Sequence, residues 1–135
     1  MINKTSLIIP AWNAEKTIYD CLMSAIKANK SPDEIIVVND NSEDKTKIIV
    51  NEIINHYPKI KIFSLKKNIG PAAARDYGVK QSSGKLLFFT DSDTIILENT
   101  FVNSLNTLIK YNADAISGIY HPEPINAGKT QLYKA

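Results

Sequence analysis

The sequence has almost no sulfur, no long apolar run and no concentration of charge. One cysteine, Cys21, stands in 135 residues, which excludes an intramolecular disulfide and a cysteine-based zinc site. It lies among apolar residues of an expected helix and reads as a buried, inert thiol. No apolar stretch approaches the roughly 20 residues that a membrane-spanning helix needs. The opening Met1-Ile2-Asn3-Lys4-Thr5-Ser6 runs straight into a strand-like segment and is not a secretory leader. The expected compartment is therefore the cytosol, and the glycosylation-like triplet Asn3-Lys4-Thr5 is read as a chance match. The net charge of +2 is too small to argue for nucleic acid. Lys66-Lys67 is the one notable basic pair, so there is no stripe to follow a phosphate backbone, nor the interleaved aromatics that single strands require. His56 and His121 stand alone, without partners at metal-binding spacing.

What is present is an ordinary globular composition, 44% hydrophobic and 22% charged, with length enough for one core, so residues 1–135 are read as a single domain. Strand-like and helix-like segments alternate. Ser6-Leu7-Ile8-Ile9 is a short apolar run closed by Pro10, and Asn13 is placed to cap a helix over Ala14–Ala28. Ile18, Cys21, Leu22, Ala25 and Ile26 form its inner stripe. Glu34-Ile35-Ile36-Val37-Val38 is continuous and β-branched, as befits a strand covered on both faces. Ser42 is placed to cap a second helix reaching His56, with Ile49, Ile53 and Ile54 inward. Lys59-Ile60-Lys61-Ile62-Phe63 alternates and suits a half-exposed strand near a sheet edge. Pro71 stands at a favourable first helical position. Phe101, Leu105, Leu108 and Ile109 mark a further helix, and Ala115–Tyr120 reads as a fifth strand. Strands separated by helices of this length imply an α/β fold, a mostly parallel sheet with helices on both faces. Ligands of such sheets bind beyond the carboxyl ends of the strands.

One of those ends carries chemistry. Leu86-Leu87-Phe88-Phe89 reads as a buried strand that stops at Thr90-Asp91-Ser92-Asp93. In extended chain, carboxylates at i and i+2 point the same way. Two like charges side by side are costly unless a cation sits among them. A hard divalent ion, Mg²⁺ or Mn²⁺, would serve, and such ions usually share their oxygen ligands with phosphates.

Four segments follow strand ends in order: Ile9-Pro10-Ala11-Trp12-Asn13, Val38-Asn39-Asp40-Asn41-Ser42, Asn68-Ile69-Gly70-Pro71-Ala72-Ala73-Ala74-Arg75-Asp76-Tyr77-Gly78, and Thr90-Asp91-Ser92-Asp93. Together, over Ser6 to about Tyr120, they resemble the family 2 glycosyltransferases, which have the GT-A fold. The resemblance implies a sugar transferred with inversion from a nucleotide diphosphate-sugar, most simply a UDP-sugar, to an acceptor hydroxyl. It assigns Pro10, Ala11 and Trp12 to the base, with Trp12 where relatives carry Tyr or Phe. It gives Asp40 the uracil N3–H, Asp91 the ribose, Asp93 the metal, and Gly70 with Arg75 the diphosphate and sugar, and it counts Ser92 among the nucleotide-sugar-binding residues. The acceptor is not implied. Many relatives act on lipid-linked or cell-surface acceptors, so peripheral contact with the inner face of a membrane is an option for a longer parent protein only.

The sequence also departs from the family. The family's general base lies in an acidic motif well downstream of the D-x-D. Glu123 is the only acidic residue after Asp114, and its context, Tyr120-His121-Pro122-Glu123-Pro124, does not match. Gln131-Leu132-Tyr133-Lys134-Ala135 reads as the start of a helix. The chain is thus expected to be the donor-binding part of a longer enzyme, with the base beyond residue 135. Asn39, Asn41 and Asp76 replace a common Asp, Gly and Asn.

Plainer readings compete at each position. Asp91 and Asp93 could form only a turn and cap, Asp40 a turn aspartate paired with Ser42, Trp12 a plug of the sheet end, and Arg75 an ion-pair partner of Asp76 or Glu52. Gly128-Lys129-Thr130 imitates a phosphate loop, but position 123 lacks the required glycine. Among whole-protein rivals, a nucleotidyltransferase would want a glycine-rich basic loop after the first strand, and a phospho-receiver an acidic pair there. A domain that binds nucleotide-sugar without transferring it is the remaining alternative.

Overall fold

A computed structural model describes residues 3–119. Its elements alternate: β1 (Thr5–Ala11), α1 (Ile18–Lys27), β2 (Glu34–Asn39), α2 (Thr46–His56), β3 (Ile60–Ser64), α3 (Pro71–Gln81), β4 (Leu86–Phe89) and α4 (Thr100–Tyr111). The four strands form one parallel sheet in the order β3-β2-β1-β4. No helix among the described residues is long and apolar enough to cross a membrane.

The sequence pattern of each strand follows from its place. β1 and β2 are central and buried along their whole length, which explains their unbroken Leu, Ile and Val. β3 is an edge strand, and its exposed Lys61 supplies the expected alternation. Leu7, Ile9, Ile35 and Val37 face one side, where α1, α2 and Phe101 of α4 cover them. Ile36 and Val38 face the other, where α3 lies across them through Ala74. α3 approaches closely because its contact residues are small: a Cβ on Gly78 would stand 2.6 Å from Ile8 Cγ2.

Several expectations are corrected. β1 continues past Pro10 to Ala11. Thr90 N–H donates to the Ile8 carbonyl, and the β1–β4 pairing stops at Ile8↔Phe89. The amide that Pro10 lacks would thus face a side where β4 has already turned away. α1 begins at Ile18 rather than Ala14, because Asn13 is left-handed at φ 47° and residues 14–17 form a turn. α2 begins at Thr46, and Ser42 does not cap it. β4 is half-buried rather than fully covered, and Phe89 is exposed. α4 turns Phe101 inward but leaves Ile109 79% exposed. The fifth strand is not formed at Ala115–Ile119, which are irregular; a strand needs a neighbour to complete its ladder, and Ser117 and Gly118 offer little intrinsic preference. Tyr120, His121, Glu123, Gly128-Lys129-Thr130 and Gln131–Ala135 lie outside the described residues.

Candidate functional site

The strand order creates a crevice. From β1 the chain builds outward through β2 and β3, then returns to the opposite side of β1 as β4. The carboxyl ends of β1 and β4 therefore flank the point where the winding reverses, the usual ligand position in an open α/β sheet. Pro10, Ala11 and Trp12 stand at the carboxyl end of β1, and Asp91, Ser92 and Asp93 just past that of β4.

Trp12 is 57% exposed and so does not plug the core, although Ala11 beside it is buried. Asp40, at the end of β2, is 2% exposed. It does not pair with Ser42. Its two carboxylate oxygens accept the amides of Ile69 and Gly70 at 2.8 and 2.9 Å, and its own amide donates to the Ala11 carbonyl at 2.8 Å. One side chain thus fixes the loop into α3. Gly70 ends that loop at φ 87°, a conformation that favours glycine, and Pro71 follows at the first helical position.

Arg75, one turn into α3, reaches across to Asp91: its guanidinium lies 2.5 Å from Oδ1. The expected partners Asp76 and Glu52 are not used, and Asp76 instead accepts from Lys80 at 2.7 Å. The cation required beside paired carboxylates is thus partly supplied by the protein itself. The carboxylates are not side by side on extended chain, however. β4 ends at Phe89, and Thr94 N–H donates to the Asp91 carbonyl at 3.2 Å, so Asp91–Thr94 is a turn. Ser92 is half-buried within it and Asp93 is exposed. Among the described residues Asp93 makes no ion pair, and no three acidic, imidazole or thiol side chains gather to hold a metal.

Cys21 lies beneath this turn, its thiol 3.5 Å from the Asp91 carbonyl. Burial pushes the thiol up to about 12, and the Asp93 and Asp91 carboxylates push the same way. Cys21 is buried, as expected of it.

Sequence reasoning missed a set of contacts between the β1–α1 and β2–α2 turns. Thr46, fully buried, accepts the Ala14 amide at 2.8 Å and donates to Asp44 Oδ1 at 2.6 Å. Asp44 also accepts the Glu15 and Thr46 amides. Burial works against its charge, but these hydrogen bonds outweigh it and hold the carboxyl below its ordinary value. The available signal was Asp44-Lys45-Thr46 itself, since an Asp two residues before Thr can take that residue's amide.

These features define an α/β domain of GT-A type, with an exposed aromatic ring, an arginine and acidic groups at the winding reversal. Residues 6–134 match the family model "Glycosyl transferase family 2", and the chain belongs to that family. It is 32% identical over 115 residues to a protein described as an uncharacterized glycosyltransferase of Haemophilus influenzae, matching 85% of this chain and 46% of that one. The crystal structure of S. aureus TarS in complex with UDP-GlcNAc superposes with a TM-score of 0.73 at 33% identity, over 82% of this chain and 32% of that one. A Pyrobaculum calidifontis mannosyltransferase solved with GDP-Man and Mn²⁺ shares the fold, with a TM-score of 0.74 over 80% of this chain and 33% of that one, at 21% identity. The chain thus spans about half the length of the first relative and about a third of the two solved structures.

Proposed function

We propose that this chain holds the donor in a glycosyl transfer, binding a UDP-linked sugar with the help of Mg²⁺ or Mn²⁺. The single observation that carries the reading is the Arg75–Asp91 pair at the carboxyl end of β4, beside Asp93, whose carboxylate makes no ion pair among the described residues. A likeness to TarS, solved with UDP-GlcNAc, supports the choice of nucleotide.

Trp12 offers an exposed face on which a base can stack, with the Pro10-Ala11 backbone as the wall beside it. Asp40 has both oxygens engaged by amides, but each keeps a second lone pair, and one can accept the uracil N3–H. Asp91 and Ser92 face the ribose. The donor set fits a hard cation only in part: Asp93 is a single free oxygen ligand, so an ion here would take its remaining ligands from phosphates and water. Such an ion would supply charge stabilisation to the departing diphosphate. Arg75 adds a fixed guanidinium, and the amino end of α3 adds its free amides, with Gly70 allowing close approach. Positive groups placed where the leaving charge develops lower the barrier to cleaving the sugar–phosphate bond. The acceptor hydroxyl must lose a proton to a base, and none is assigned among the described residues.

Calorimetric titration with UDP, in Mn²⁺ and in EDTA, tests this. Wild-type protein is expected to bind UDP more tightly with metal than without, and more tightly than GDP. Asp93→Asn should remove the metal dependence and weaken binding in Mn²⁺ at least ~10-fold. Unchanged, metal-dependent binding by this variant would defeat the assignment of Asp93.

A further inference from the structure

We propose that the turns after β1 and β2 are fastened together to hold Trp12 as a fixed surface for the base, with Thr46, Asp44 and Ser42 as positioning residues. The inference rests on reading Trp12 as the base-stacking residue.

The fastening is reciprocal. Three consecutive amides of the first turn donate to side chains of the second: Asn13 to Ser42 Oγ at 3.0 Å, Ala14 to Thr46 Oγ1 at 2.8 Å and Glu15 to Asp44 Oδ2 at 3.0 Å. Two amides of the second donate back: Glu43 to Asn13 Oδ1 at 2.9 Å and Lys45 to Glu15 Oε2 at 3.2 Å. The conformations held this way are not those a free chain prefers. Asn13 and Asn41 are both left-handed, at φ 47° and 59°. Trp12 stands immediately between the buried Ala11, tied to Asp40 through its carbonyl, and Asn13, tied at both amide and side chain. Its ring is largely exposed and gains little from the core. The ordering of its backbone comes from the neighbouring turn. A ring set in place before ligand arrives spares the complex the cost of immobilising it.

Trp12 is the only tryptophan in the chain, so its fluorescence reports this site alone. Thr46→Val keeps the shape of a buried residue and removes both hydrogen bonds of its hydroxyl. Ser42→Ala removes one bond from a half-buried position and leaves the core untouched. In the ligand-free protein, both variants are expected to enlarge the fast component of Trp12 anisotropy decay and to increase acrylamide quenching. Titrated with UDP and Mn²⁺, Thr46→Val should raise Kd about 10-fold and Ser42→Ala about 3-fold. The decisive comparison is a double-mutant cycle with Trp12→Ala. Thr46→Val should cost little binding once the ring is gone, whereas a general loss of structure would cost the same with or without it. Additive losses, or a Trp12 as rigid in the variants as in the wild type, overturn the proposal. Should Thr46→Val fail to fold, Ser42→Ala decides by the same readings. A Trp12→Ala protein that binds UDP as tightly as wild type removes the base-surface reading and this inference with it. One that binds poorly, beside unaffected Ser42 and Thr46 variants, removes the inference alone.

Discussion

At the scale of single residues, the opposite end of the sheet shows how a charge can be buried for structural reasons. Glu34, 3% exposed at the start of β2, accepts from Ser6 Oγ at 2.6 Å, from the Ser83 amide at 2.5 Å and from Lys61 at 3.0 Å. Burial alone would raise its carboxyl, but these bonds overcome that and bring it down to about 2, from an ordinary 4.5. A folded-state value below the unfolded one means stability that is complete above about pH 4.5 and is lost as pH falls toward about 2. The shift corresponds to about 3 kcal/mol. Glu34→Gln should therefore flatten the acid limb of a stability-against-pH curve measured by urea titration, while lowering stability at pH 7. An acid limb as steep as the wild type's would show that other carboxylates govern it. Site residues differ in kind. The exposed place of Asp93 just past β4 is legible in local sequence. Asp40 was found by resemblance, yet its amide partners lie 29 and 30 residues away and could not be read from its surroundings.

At the scale of elements, periodicity served well where burial is two-sided or one-sided in a regular way. The apolar β2 and the alternating β3 appeared as expected because a central strand and an edge strand meet different surroundings. It failed at element ends. The helix starts at Asn13 and Ser42 were misplaced because both residues spend their hydrogen-bonding groups on the neighbouring turn. The run at Ala115–Ile119 has strand-like composition, but composition cannot supply a neighbouring ladder. α3 illustrates the reverse case, an element with almost no apolar stripe. It holds the sheet through the small Ala74 and Gly78, with Tyr77 edge-on to Phe63 at the margin. Gly78→Ala, with Ile8 Cγ2 at 2.6 Å and Val38 Cγ2 at 3.1 Å, must displace the helix or the strand beneath it. It should cost about 1–3 kcal/mol, read by chemical denaturation. Gly118→Ala, with nothing within 4 Å, is the neutral comparison. Equal stability in the two would mean that α3 is not set by this contact.

At the scale of the whole molecule, the proposed donor site draws on segments at four strand ends, and anything that binds there should stabilise the fold as a unit. UDP with Mn²⁺ at about 100 times Kd should add ~2.7 kcal/mol, a rise of roughly 10 °C in Tm for a domain of this size. EDTA should remove most of that gain. A shift that survives EDTA would make Arg75, rather than a metal, the principal cation at the diphosphate. The sequence by itself determined the order of the first four strands and the four helices, the buried cysteine and the four segments at strand ends, because hydrophobic period and short motifs are local properties. Only the tertiary structure decided that Arg75 takes Asp91, that Asp40 braces the loop into α3, and that Thr46 reaches Ala14. Those partners are 16 to 32 residues apart, and their meeting depends on which strands lie adjacent, a choice made by the packing of the entire sheet.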